Sequence, residues 1–185
     1  MTVERDNAAQ HNLDAKQAGD AADCTFRAHS SPSWWRLARF LAATVLLGFV
    51  LNEIWEMAQM PAFVETVGYP WTSTLGFCTR AAVGDVGILL SIYAVIALAT
   101  GELGWGLRGR WNQYATAAVL GMATAVLVEH AALAAERWTY TERMPVVSLL
   151  DAGLWPVLQM TLLPPLTFLF ARWWAGRNTT KGIPD

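Results

Sequence analysis

The sequence predicts an all-α polytopic membrane protein: four transmembrane helices in a bundle, with both termini on the cytoplasmic side. Three observations predict it. The chain has 185 residues, of which 54% are hydrophobic and 15% charged, whereas a soluble domain carries about a quarter charged residues. The apolar residues gather in four runs, at 37–51, 81–100, 114–128 and 154–171. With its semi-polar ends each run reaches roughly 20 residues, the length a bilayer core of about 30 Å requires. The ten tryptophans lie near the ends of these runs or between them, as expected of an amphipathic indole at a membrane interface. A soluble helical bundle with this composition would have too little polar surface to face water.

Residues 1–33 are polar, lack apolar periodicity and end in Ser30-Ser31-Pro32-Ser33, which predicts a disordered cytoplasmic tail. No basic start leads into an early apolar core, so the first span is read as a retained anchor rather than a signal peptide. Span 1 is expected at 34–59, opened by Arg36 and Arg39 and ended by Pro61. A long loop to Arg80 follows, then span 2 at 81–100 with Asp85 in its first turn. After a Gly-rich loop come span 3 at 113–136, the loop 138–145, and span 4 at 147–174. Pro156, Pro164 and Pro165 predict a kink or local unwinding in span 4. A short basic cytoplasmic tail, 177–185, closes the chain. The four spans thus form one membrane domain, 34–176.

Orientation follows from the basic residues. Arg36, Arg39, Arg108, Arg110, Arg172, Arg177 and Lys181 fall on one side, and Arg80, Arg137 and Arg143 on the other. The positive-inside rule places the first group in the cytoplasm, with a bacterial inner membrane as the expected location. Cys24 and Cys78 then face opposite sides, so no disulfide joins them. Every acidic residue within or bordering a span falls on the outer side: Glu53 and Glu56 in span 1, Asp85 in span 2, Glu129 and Glu136 in span 3, Asp151 in span 4. Ionisable groups at membrane depth are costly and mark functional sites.

Spacing selects among them. Thr44, Gly48, Asn52 and Glu56 share one face of span 1, and Ala117, Gly121, Ala125 and Glu129 one face of span 3. Small residues at this spacing mark faces of close helix approach, so spans 1 and 3 are expected to pack through them and bring Glu56 towards Glu129. Glu56, Glu129 and Asp85 are the candidate acid–base residues. Asn52, Glu53, Trp55, His130, Trp138, Tyr140 and Gln159 are the candidate binding residues. Carboxyl groups sharing a low-dielectric pocket resist joint ionisation, so one site holds both an acid and a base, suited to a lipid-like substrate. No cofactor is expected. No metal is expected either, because there is no His-Glu-x-x-His or Glu-x-x-His pattern. Cys78 and Thr72-Ser73-Thr74 are nucleophiles without a placed histidine.

At Asn52-x-x-Trp55-Glu56, Gly84-Asp85, Trp138-x-Tyr140 to Met144-Pro145, and Pro156-x-x-Gln159 to Pro164, the chain resembles a group of small bacterial four-span inner-membrane proteins of no assigned activity. The likeness runs from about Asn52 to Pro165 and implies the same fold and choice of residues. A fainter analogy is to the membrane domains of lycopene cyclases, which also combine a Trp-x-Tyr loop with a proline-led polar motif inside a span. Where those enzymes would place an acidic pair, this chain has Val157-Leu158-Gln159.

Three function classes fit the sequence. One is a membrane protein with a carboxylate-lined pocket near the outer leaflet that binds or converts an apolar, lipid-like molecule. The second is an accessory subunit whose polar residues pair with a partner's helix. The third is a small transporter or proton pathway, as a homo-oligomer. Membrane lipid is the expected partner in all three. No basic block points to nucleic acid.

Overall fold

The computed structural model describes residues 34–66 and 68–176; both expected tails, with Cys24, Arg177 and Lys181, lie outside the described residues. The architecture is all-α. Helix α1 spans Trp34–Gln59, α2 Trp71–Thr100, the one-turn α3 Trp105–Arg108, α4 Trp111–Ala134 and α5 Leu154–Gly176. Two short strands, β1 (Val146–Val147) and β2 (Ala152–Gly153), pair antiparallel. Four helices are long and apolar enough to cross a membrane, which suits a multi-pass membrane protein.

Two boundaries differ from expectation. The second helix begins at Trp71, not at residue 81. Apolarity drops across 71–80, but Pro70 holds an extended conformation just before the helix (φ −59°, ψ 144°) and nothing after it breaks the turn. Thr72-Ser73-Thr74 and Cys78 are therefore helical, and Cys78 is fully buried. The fourth long helix begins at Leu154, not at residue 147. Residues 146–153 are apolar but fold as a hairpin, with Val146 opposite Gly153 and Asp151 at φ +47° in its turn.

The prolines in α5 do not unwind it: the helix continues through Pro164 and Pro165. Pro164 has no N–H to give the carbonyl four residues earlier, that of Met160. Gly121 of α4 lies against that carbonyl and against the Pro164 ring, so a side chain at residue 121 would collide with Met160 backbone. The exposed polar backbone is thus covered by a glycine on the next helix.

The small-residue stripes have a different partner from the one expected. Neighbouring long helices pack in the order α1, α2, α4, α5, and α5 closes against α1. α1 and α4 lie diagonally, and their stripes meet other helices: Gly121 faces Met160 and Pro164 of α5, while Gly48 lies nearest Leu89 of α2, with Val86 of α2 and Thr167 of α5 further off. The small residues admit α5 against α4, and α2 and α5 against α1, instead of joining α1 to α4.

One end of the domain is aromatic. Phe40, Tyr93, Trp105, Tyr114 and Phe168 form a buried cluster there. Trp105 departs from the expected interfacial belt: it is fully buried, stacked on Tyr93 at 5.0 Å, and its indole donates to the Tyr93 carbonyl at 3.1 Å. At this end Glu102 binds Arg108 at 3.2 Å and Arg110 at 3.5 Å; two residues past the second long helix, it breaks the expectation that every acidic residue bordering a span lies at the other end.

Gly121→Ala is expected to force α4 off α5 and cost about 1–3 kcal/mol. Gly84→Ala, with open space around its would-be side chain, is expected to be neutral or to gain up to about 1 kcal/mol. Thermal unfolding of the two variants in mild detergent checks this contrast.

Candidate functional site

The other end carries the carboxylates, and its centre is Gln159 in the second turn of α5. Gln159 Nε2 donates to Asn52 Oδ1 at 3.0 Å, Glu56 Oε1 at 2.9 Å and Asp85 Oδ2 at 2.9 Å. Gln59 Nε2 donates to Glu56 Oε1 at 3.0 Å and to Gln159 Oε1 at 3.2 Å. Asn52 anchors its own amide on the Gly48 carbonyl at 2.8 Å. Asn52, Glu56, Gln59 and Gln159 are all buried, whereas Asp85 is half-buried. Three helices thus converge on one amide.

Local sequence explains the convergence. Asn52, Glu56 and Gln59 lie four and three residues apart, hence on one face of α1. Asp85 is set in α2 between exposed Gly84 and buried Val86, at the edge of the packed face. Gln159 follows Pro156 by three residues, so it sits inside the helix with a full side chain free to reach α1 and α2.

A second polar group lies beside the first. Buried Glu129 of α4 accepts a hydrogen bond from the Tyr140 hydroxyl, and the Gly153 N–H donates to the same oxygen of Tyr140 at 3.0 Å. The Trp138 indole N–H lies close to Glu129 without reaching hydrogen-bond geometry. Burial, and then Glu129, push the Tyr140 phenol above its ordinary range, so it remains a donor at neutral pH. The loop 138–145 is held over this end by main-chain pairing. Val64 N donates to Thr139 O and Thr141 N to Ala62 O, both at 2.9 Å, while Phe63 and Tyr140 form an antiparallel bridge. Ala62 and Phe63 are buried against Met144 of the loop.

The other candidates take separate places. Glu53 turns towards α2, where the Thr79 hydroxyl donates to it at 3.2 Å. Trp55 is half-buried and not hydrogen-bonded to the network. His130 is exposed and binds the Leu150 carbonyl at 2.8 Å, tying α4 to the hairpin. Glu136 and Asp151 are exposed turn residues with positive φ. Glu56 and Glu129 are within electrostatic range of each other, but each has its own hydrogen-bond set. Gln59 was not among the sequence candidates and belongs to the network; its spacing of three from Glu56 is the signal that finds it. Among the described residues, no group of three or more His, Cys, Asp or Glu side chains is arranged to hold a metal ion.

Two cavities open at this end. One, of about 270 Å³, is lined by Glu65, Tyr69, Ser73, Thr74, Phe77, Arg80 and Arg137. The other, of about 420 Å³, shares Phe77, Arg80 and Arg137 and adds Ala81 and Trp138. Comparison with known protein families, curated proteins and solved structures returns no match.

Gln159→Leu keeps the volume but leaves buried Asn52 Oδ1 without its donor and Glu56 with Gln59 alone. It is expected to cost about 1–3 kcal/mol. Combined with Glu56→Gln, the double-mutant cycle is expected to show a coupling of roughly 0.5–3 kcal/mol. Denaturant unfolding in detergent measures both, and an additive pair would show that the contact carries no energy.

Proposed function

We propose that this chain is an inner-membrane protein, with both termini in the cytoplasm, whose carboxyl–amide network near the outer leaflet performs acid–base chemistry on an apolar, lipid-like molecule, or binds one. The observation that carries the reading is the set of acceptors around Gln159. One amide NH₂ has two hydrogens, yet it faces Asn52, Glu56 and Asp85. Glu56 Oε1 and Asp85 Oδ2 each lie 2.9 Å from the same nitrogen, Gln159 Nε2. Two carboxyl groups gathered on one donor in a low-dielectric site resist joint ionisation. Such a pair holds one acid and one base side by side, the arrangement proton transfer requires. Half-buried Asp85 is the member with access to the outside, and buried Glu56 its partner in the proton. Glu129 with Tyr140 supplies a second carboxyl–phenol donor pair under the 138–145 loop.

The orientation rests on Arg36, Arg39, Arg108, Arg110 and Arg172 at the aromatic end, against Arg80, Arg137 and Arg143 at the carboxylate end. The accessory-subunit reading has less support: a partner's helix is needed where polar groups lack internal bonds, and here Gln159 and Gln59 bond Asn52, Glu56 and Asp85 within the chain.

The test is native mass spectrometry with lipid extraction on protein purified in mild detergent, wild type beside Glu56→Gln and Glu129→Gln. A retained small molecule that disappears in both variants is expected. An empty monomer unchanged by either substitution overturns the reading.

A further inference from the structure

The two cavities at the carboxylate end meet at a pair of arginines that the network does not use. Arg80 projects from α2 and Arg137 follows the end of α4, and both line both cavities. Among the described residues, neither has a carboxylate within ion-pair distance. By contrast, Arg108 and Arg110 at the opposite end both bind Glu102. Arg80 spends its Nε on the Gly76 carbonyl at 3.3 Å, which steadies the side chain and leaves its two terminal nitrogens available. Tyr69, Ser73 and Thr74 add hydroxyls to the first cavity; of these, Thr74 is bonded to the Pro70 carbonyl at 3.3 Å. Glu65 lines the same cavity. Burial raises its carboxyl, but hydrogen bonds from the Thr139 and Glu65 backbone and the Thr139 hydroxyl outweigh this and hold it below the usual range. One carboxylate turned towards Thr139 therefore stands against two guanidinium groups.

The rest of the lining is of a different kind. Phe77 is 46% exposed, and Ala81 and Trp138 continue an apolar wall towards the Glu129–Tyr140 pair. Two planar guanidinium forks beside hydroxyls suit the oxygens of a phosphate or carboxylate. An apolar wall leading away from them suits a hydrocarbon chain. We propose that the cavity between Arg80 and Arg137 binds the anionic head, phosphate or carboxylate, of a membrane amphiphile whose chain lies along Phe77, Ala81 and Trp138. This goes beyond the acid–base reading and stands without it. Loss of the Glu56→Gln effect leaves the anion site intact, and loss of anion binding leaves the carboxyl network intact.

The experiment is calorimetric titration of the full chain in neutral detergent with three probes: dihexanoyl phosphatidylglycerol, hexanoate and inorganic phosphate. The proteins are wild type, Arg80→Gln/Arg137→Gln, Arg80→Lys/Arg137→Lys and the control Arg143→Gln. Saturable binding of a chain-bearing anion to wild type and to Arg143→Gln is expected. The Gln pair is expected to lose at least about tenfold in affinity, and the Lys pair, which keeps charge without the fork, less than that. Phosphatidylglycerol binding without hexanoate binding names a phosphate head; the reverse names a carboxylate. Inorganic phosphate binding as tightly as phosphatidylglycerol shows a free-anion site and overturns the amphiphile. Equal affinities across wild type, the Lys pair and the Gln pair overturn the site altogether. The Lys pair keeps this comparison valid should the Gln pair fold poorly.

Discussion

The side-chain amide of Gln159 is the contact on which the carboxylate end depends. In a hydrocarbon solvent a buried polar group finds its partner inside the protein or is left unpaired. Asn52, Glu56 and Asp85 present oxygens from two helices to the same point, and a neutral group with two donors is what that point accepts. A leucine would leave Asn52 Oδ1 and Asp85 Oδ2 without this donor and Glu56 with Gln59 alone, and a carboxylate would add a third acid to a low-dielectric site. An interhelical bond of this kind contributes only about 0.6 to 2 kcal/mol. Several meet on one residue, so α1, α2 and α5 share a common anchor.

That anchor is placed by a contact one turn away. Pro164 frees the carbonyl of Met160, and Gly121 of α4 covers it. Met160 follows Gln159 directly, so the depth at which α4 grips α5 also sets the height of the amide relative to Glu56 and Asp85. The prolines therefore do not loosen the helix. They create a polar notch that a neighbouring glycine must fill, and the fit sets the register of the site. Tyr140 does the same for Glu129: held by the Gly153 N–H, it brings the loop 138–145 down onto α4.

The fold class was legible because a bilayer imposes length and apolarity directly on the sequence. Boundaries were legible only where apolarity and helix coincide. They coincide at Gln59, followed by Pro61. They part at residues 71–80, where a semi-polar stretch is helical, and at 146–153, where an apolar stretch turns back at Asp151. Among the site residues, Asn52, Glu56 and Asp85 stood out as polar groups within apolar helices, and Gln159 as the one amide inside the last span. Which of them meet was not legible. The stripes ending in Glu56 and Glu129 have the right small residues for contact, yet spacing names a packing face without naming the helix that fills it. The α4 face receives α5 and the α1 face receives both α2 and α5, and the carboxylates acquire separate partners. His130, adjacent to Glu129, was drawn away by the Leu150 carbonyl, a contact that arises only because residues 146–153 form a hairpin.

The two ends of the domain differ in chemistry: carboxyl and amide groups gather at one, aromatic rings at the other. From Asn52 the next buried polar side chains towards the aromatic end are the hydroxyls of Thr44 and Thr167, neither of which has a side-chain hydrogen bond. Beyond them Phe40 and Phe168 stack at 6.4 Å, and Tyr93 and Trp105 complete the cluster. Tyr93, Trp105 and Tyr114 spend their side-chain donors on the Leu103, Tyr93 and Gly106 carbonyls. A proton or ion entering at Asp85 meets acceptors as far as Asn52 and then an apolar wall. Among the described residues the side-chain amide hydrogen bonds that join helices thus gather towards the carboxylate end. The asymmetry that made the carboxylates conspicuous in the sequence is thus the physical reason to look for a ligand that arrives and leaves by the same face.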